Sequence, residues 1–251
     1  MTLAPEEVKA CCAAVYGSAA ARYLLGDSFH PGGPSLTAEL AAALRVGPGD
    51  EVVDVASGPG TSAIQLARQT GCTAIGVDLA PVPDPADEPR VRFVRGDAEA
   101  LPFAGASVDG VLCECAFCTF PNKEQAASEL ARVLRSGRWL ALSDMTAEPA
   151  RLPPELTGLR AWVACVADAR PLPEISELLA RAGFEIERAE QRDQLLLELL
   201  DRIDARLQVA AMLSELVSPD AVAQGRTLVA AARQAIVDRA LGYAIVVARR
   251  R

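Results

Sequence analysis

Apolar residues in this chain fall into short runs set apart by polar, glycine- and proline-rich breaks. Residues 51–55, 73–77, 91–94, 110–115 and 139–143 are compact, largely β-branched or aliphatic runs, the pattern of strands buried on both faces. Helical spacing of apolar residues follows the first and the fourth of them, and residues 35–44 repeat that spacing ahead of the first. Strand and helix in alternation predict an α/β fold with a mostly parallel sheet. Residues 173–182 read as an amphipathic helix stopped by Gly183, and 184–187 begin a further strand. Two or three helices are expected over 193–240 with a break near Ser218-Pro219, and the run 243–248 is a last strand. Pro81, Pro83, Pro85 and Pro89 make a helix improbable between the second and third strands. Residues 5–25 carry helical spacing that ends abruptly in Gly26-Asp27-Ser28-Phe29-His30-Pro31-Gly32-Gly33-Pro34.

Composition narrows the class. With 251 residues and 51% apolar content, the chain supplies one large core with room for an appendage. The expected division is a helical leader with a glycine-rich loop over 1–34 and one α/β domain over 35–251, with 192–241 inserted before the last strand. A balance of 33 acidic to 25 basic residues argues against nucleic acid or anionic lipid as a partner. Apolar runs stop well short of the ~18 residues of a membrane span, and a cytoplasmic location is expected. Seven cysteines, an odd number with no secretory leader, read as free thiols. Cys72, between Gly71 and a strand, fits the small buried hydrophobe that free cysteine commonly is.

The densest chemical signal is Val52-Val53-Asp54-Val55-Ala56-Ser57-Gly58-Pro59-Gly60-Thr61 with Gly76-Val77-Asp78 downstream. A strand that breaks at two glycines and enters a helix is the first unit of a nucleotide-binding sheet, with glycines letting the backbone approach a ligand. Asp78 follows at roughly the 20-residue spacing of a carboxylate that meets ribose hydroxyls. No lysine follows Gly60, so the triphosphate-binding loop is absent. Asp54 sits at the first strand tip, as an ammonium-orienting carboxylate or as a cap for the turn.

The form Asp54-x-x-x-Gly58-x-Gly60-Thr61, then Gly96-Asp97-Ala98-Glu99-Ala100-Leu101-Pro102-Phe103 and Arg132-Val133-Leu134-Arg135-Ser136-Gly137, resembles the ordered motifs of class I S-adenosylmethionine-dependent methyltransferases. That resemblance implies a Rossmann-like, doubly wound, seven-stranded sheet whose last strand is antiparallel. It implies S-adenosylmethionine as cofactor, held by Asp54, Ser57, Gly58, Gly60, Asp78, Asp97, Ala98 and Glu114, with Asp97 toward the adenine amino group.

The fourth strand ends in Cys113-Glu114-Cys115-Ala116-Phe117-Cys118, where an open α/β sheet places its ligands. Strand alternation puts Cys113 and Cys115 on one face and leaves Cys118 free to turn toward a ligand. A zinc site is disfavoured, because a second ligand cluster is missing and His30 is the only histidine. Cys115, Asn122-Lys123 and Trp162-Val163-Ala164-Cys165 resemble the narrower arsenite methyltransferase family. This second resemblance implies transfer to trivalent arsenic held by the thiolates of Cys115 and Cys165, with Cys118, Cys11 or Cys12 as a third ligand and a thiol reductant as partner. Sulfur ligands suit a soft metalloid. Two other readings stand beside it: a methyltransferase for an organic small molecule, and a thiol-based metal or metalloid binder without transfer activity. The 26–33 loop is either a lid over the methionine end of the cofactor or an ordinary connector, with His30 capping a backbone group.

Overall fold

The computed structural model describes residues 7, 9, 18–26, 28–80, 87–157, 166, 168–212 and 218–251. Cys11, Cys12, the segment around Cys165 and the proline-rich stretch 81–86 therefore lie outside the described residues. Seven strands form one sheet: β1 Glu51–Val55, β2 Thr73–Asp78, β3 Val91–Arg95, β4 Val108–Glu114, β5 Leu134–Ala147, β6 Phe184–Gln191 and β7 Leu241–Arg250. Their order across it is β3-β2-β1-β4-β5-β7-β6. The first five pair in parallel, whereas β7 runs antiparallel between β5 and β6.

Alternation along the strands builds two cores. Val52, Ala74, Leu112, Ala141 and Ile245 point to one face, and Val53, Ile75, Val111, Leu140 and Val246 to the other. Both faces of the central strands are dry, which is why these runs read as nearly continuous apolar segments rather than as polar-apolar alternation. Helices α1 Ala19–Leu25, α2 Gly33–Ala43, α3 Thr61–Thr70, α4 Lys123–Val133, α5 Leu172–Arg181, α6 Asp193–Met212 and α7 Pro219–Val237 cover the sheet. Leu36, Leu66, Leu200 and Val229 bring α2, α3, α6 and α7 to the first face. Ala126, Leu130, Ile175 and Leu179 bring α4 and α5 to the second.

The α6–α7 pair lies between β6 and β7 in the chain, and its break comes where Pro219 starts α7 with Ser218 capping it, the Ser218 hydroxyl accepting from the Ala221 N–H at 3.2 Å. This pair covers the sheet face and also braces the leader. Tyr23 Oη donates to the Arg206 carbonyl at 3.3 Å, and Arg206 Nη1 donates to the Leu24 carbonyl at 2.6 Å. Among the described residues no helix is long and apolar enough to cross a membrane.

Candidate active site

The C-terminal tips of β1, β2 and β4 open into a cavity of about 390 Å³. The turn after β1 forms its floor. Ala56, Gly58 and Gly60 all take positive φ, at 58°, 53° and 84°. The Ser57 N–H donates to the Val77 carbonyl at 3.1 Å and the Gly60 N–H to the Ser57 carbonyl at 2.9 Å, which folds the turn back onto β2. Asp78 completes it: one carboxylate oxygen accepts from Gly58 N at 2.9 Å and the other from Ala80 N at 2.8 Å.

The two glycines of the turn do different work. A Cβ on Gly58 would meet no atom within 4 Å, so its backbone faces open cavity. A Cβ on Gly60 would stand 2.2 Å from the Phe93 ring, and a Cβ on Gly76 would meet the same side of that ring at 2.4 Å. Gly60 thus shapes the turn from beneath, and its close approach is to Phe93. Both alanine substitutions carry the ~1–2 kcal/mol of a left-handed side chain. Gly60→Ala alone adds overpacking against the Phe93 ring, roughly 1–3 kcal/mol more. Thermal unfolding should therefore rank Gly60→Ala well below Gly58→Ala.

Three carboxyl groups converge on the cavity from adjacent strand tips: Asp54, Asp78 and Glu114. Asp54 is 2% exposed, and its Oδ2 has no hydrogen-bond partner among the described residues. Burial, with the fields of Glu114 and Asp78 added, pushes its carboxyl well above the usual carboxylate range, against a partly offsetting Ala63 N–H. Burial also raises Asp78, less strongly because backbone donors from Ala80 and Gly58 favour its charge. The Glu114 oxygens accept from Thr37 Oγ1 at 3.2 and 3.1 Å.

At the far end, Asp97 Oδ1 accepts from the Glu99 N–H at 2.9 Å. Lys9 reaches over from the leader and places its ammonium 2.7 Å from both Asp97 Oδ2 and Glu99 Oε2. Burial works against that lysine's charge, but the two carboxylates outweigh it and raise its pKa. The leader adds Arg22, Phe29 and His30 to the wall.

Of the residues singled out in the sequence, Asp54, Ser57, Gly58, Asp78, Asp97, Ala98, Glu114 and Cys115 line this one cavity. Cys118 does not. It sits in the 3-10 turn Phe117–Thr119, 3% exposed, with its N–H donating to Asp144 Oδ2 at 2.7 Å. Lys123, itself buried, holds the same turn by donating to the Cys118 and Phe120 carbonyls, both at 3.0 Å, and to Asp168. Nor do Cys113 and Cys115 share a face. β4 ends at Glu114, and Cys115 takes φ 53°, a left-handed kink that turns it toward the core layer opposite the one that buries Cys113. Strand alternation does not survive that kink. Cys72 is fully buried. Among the described residues no group of three or more His, Cys, Asp or Glu side chains is placed to hold a metal ion.

Residues 53–142, the segment that builds β1 to β4, most of β5 and most of the cavity, match the family model of the methyltransferase domain. The fold is that of a class I methyltransferase. Methyltransferase GfsG of Streptomyces halstedii is 31% identical over 172 residues, 64% of this chain and 62% of that protein. An arsenite methyltransferase of Halobacterium salinarum is 30% identical over 163 residues, 59% of this chain and 40% of that one. The chain thus spans less than two thirds of the length of these curated relatives. Among solved structures, a geranyl diphosphate methyltransferase in complex with GPP and sinefungin superimposes with a TM-score of 0.75 at 17% identity, covering 97% of this chain and 100% of its own. The methyltransferase fold accounts for the seven-stranded order and the reversed β7. Lys9, Arg22 and Thr37 join the site without any signal in the sequence, because only the closure of the leader and of α2 over the strand tips brings them there, while Phe29 arrives with the 26–33 loop and Phe120 with the turn after β4.

Proposed function

We propose that this chain is an S-adenosylmethionine-dependent methyltransferase whose acceptor is an organic small molecule. The observation that carries the reading is the orphaned, buried Asp54 Oδ2 facing a cavity beside Glu114. A buried polar atom without a partner is costly, and a ligand ammonium supplies both the missing donor and a charge that favours the carboxylate. Asp78, with lone pairs left after accepting from Gly58 and Ala80, fits a ribose diol. Gly58, open above, leaves room for the ligand's backbone-facing edge. Asp97 stands at the adenine end, where Lys9 closes over it.

When bound, S-adenosylmethionine supplies a methyl group on a positively charged sulfonium. Asp54 and Glu114 orient the amino-acid end, Asp78 fixes the ribose, and the leader residues exclude water from the reacting centre. Phe29, Thr119 and Phe120 supply an acceptor wall that is apolar apart from one hydroxyl.

An organic acceptor is favoured over arsenic by the largely apolar wall and by the spread of the thiols among the described residues. A trivalent metalloid calls for two or three thiolates. Among the described residues Cys115 is the cysteine that lines the cavity, while Cys118 is pinned inward and Cys113 faces the opposite core layer. The geranyl diphosphate enzyme is an instance of this fold paired with an organic acceptor, and the name of the Halobacterium salinarum relative supports the arsenic reading instead. Incubation with methyl-labelled S-adenosylmethionine, a panel of phenolic, isoprenoid and carboxylic acceptors, and arsenite with a thiol separates them. Label is expected on an organic acceptor, with Cys115→Ser retaining that transfer. Label on arsenite alone, lost in Cys115→Ser, would restore the thiolate mechanism.

A further inference from the structure

His30 is the chain's only histidine, and it is buried at the cavity wall. Its hydrogen bonds define its protons. Nδ1 lies 3.0 Å from the Pro31 carbonyl, which can only accept, so Nδ1 carries a hydrogen. Nε2 lies 3.3 Å from Thr37 Oγ1 and 3.6 Å from Glu114 Oε1. The Thr37 hydroxyl has one hydrogen, and the Glu114 oxygens at 3.1 and 3.2 Å are its nearest acceptors. Thr37 Oγ1 thus bridges Nε2 and the Glu114 carboxylate, and the three side chains form one hydrogen-bonded chain at the cavity wall.

We infer that His30 is a positioning residue: with Thr37 it holds the Glu114 carboxylate in place at the amino-acid end of the cofactor site, so that the seating of the 28–33 loop and cofactor affinity depend on each other. The inference rests on the cofactor reading above for its second half, while the His30–Thr37–Glu114 chain stands on its own geometry. Three segments meet there: the loop through His30, α2 through Thr37, and β4 through Glu114. Gly32, at φ 81°, turns the loop into α2, and a Cβ there would stand 2.6 Å from Leu36 Cβ, so this placement of His30 over Thr37 is built into the backbone. Within this hydrogen-bond chain Thr37 and His30 are what anchor Glu114, and a wandering carboxylate would neither align with Asp54 nor orient an ammonium.

Two measurements test this. Because no other histidine contributes, nitrogen NMR of histidine-labelled protein reports His30 alone. The Nε2 signal should shift in Glu114→Gln; an Nε2 signal unchanged in that variant would overturn the hydrogen-bond chain. Calorimetry with S-adenosylmethionine then uses geometry as the control. The Gln side-chain amide reaches the position of Nε2 and the Asn amide that of Nδ1. His30→Gln should stay within about threefold of wild-type affinity, while His30→Asn should lose about tenfold, the effect of one charge-assisted hydrogen bond. Equal losses in both variants, with unchanged thermal unfolding, would make His30 packing only. If the wild type itself fails to bind S-adenosylmethionine, the cofactor reading falls and the NMR result alone decides the chain.

Discussion

Replacing Asp54 with asparagine will make the protein more stable and at the same time strip it of most of its affinity for S-adenosylmethionine. Both effects have one cause. Burial holds the Asp54 carboxyl above its ordinary range, with Glu114 and Asp78 adding to the shift. A group whose folded pKa is raised contributes stability that is complete below its unfolded pKa, near the ordinary carboxylate value, and is lost as pH rises through the folded value. At neutral pH the native state therefore carries a penalty, either as a buried carboxylate or as the proton uptake that avoids it. Asp54→Asn removes the titration. The variant's melting temperature should exceed the wild type's at neutral pH by at least ~2–4 °C, corresponding to about 1 kcal/mol. The difference should vanish in acid, below the unfolded carboxylate range. Cofactor affinity should fall on the order of a hundredfold, since a buried ion pair broken on one side loses about 3 kcal/mol or more. Melting curves across pH, paired with calorimetry, check both halves.

The second large effect is expected at Lys123. Its ammonium is 4% exposed at the side chain and is shared by the Cys118 carbonyl, the Phe120 carbonyl and Asp168. Methionine at this position preserves length and apolar stem but leaves two carbonyls and a carboxylate without this donor. Breaking such a pair by deleting one partner is worth about 3–5 kcal/mol, so Lys123→Met should unfold on the order of 10 °C below the wild type. The loss is local in origin, because the Phe117–Thr119 turn also hangs on Asp144 through the Cys118 N–H. Thr119 and Phe120 line the cavity, so acceptor turnover should suffer more than cofactor binding. Asp168 keeps Arg170 as a partner at 3.1 Å in that variant, so adding Asp168→Asn to Lys123→Met should recover little of the lost stability. A double variant much more stable than the single one would show that the Asp168 charge, not the carbonyl contacts, dominates.

The fold is legible in the sequence wherever burial on both faces forces a continuous apolar run. The 51–55 and 243–248 runs announce β1 and β7 for that reason, and Ser218-Pro219 announces the start of α7 through capping chemistry. Boundaries set by backbone geometry are less visible. β5 starts at Leu134, straight out of α4, where the motif around Gly137 suggests only a helix end and the run itself suggests a start near Trp139. Cys115 looks like the last residue of a strand, yet its left-handed φ ends β4 one residue earlier and sends its side chain to the other side. In the site, residues at strand tips can be placed from the sequence because the sheet topology carries them there, as with Asp54, Asp78 and Glu114. Residues delivered by the leader and α2 cannot, since nothing in the spacing of Lys9, His30 or Thr37 encodes a meeting with Asp97 or Glu114. Gly60 shows a third limit: its need for φ above zero is readable, but its neighbour Phe93 belongs to a strand that only the folded sheet brings beneath it.

Titration of S-adenosylmethionine into the wild type and Asp78→Ala by calorimetry tests the central claim most directly. The cavity between β1, β2 and β4 should bind one equivalent. Asp78→Ala, which removes the carboxylate that anchors the Gly58 turn and faces the ribose position, should bind at least about tenfold more weakly, the loss of a charge-assisted hydrogen bond of roughly 1.5–3 kcal/mol. Absence of binding to the wild type, or equal affinity in a folded Asp78→Ala, would contradict the assignment of this cavity to S-adenosylmethionine.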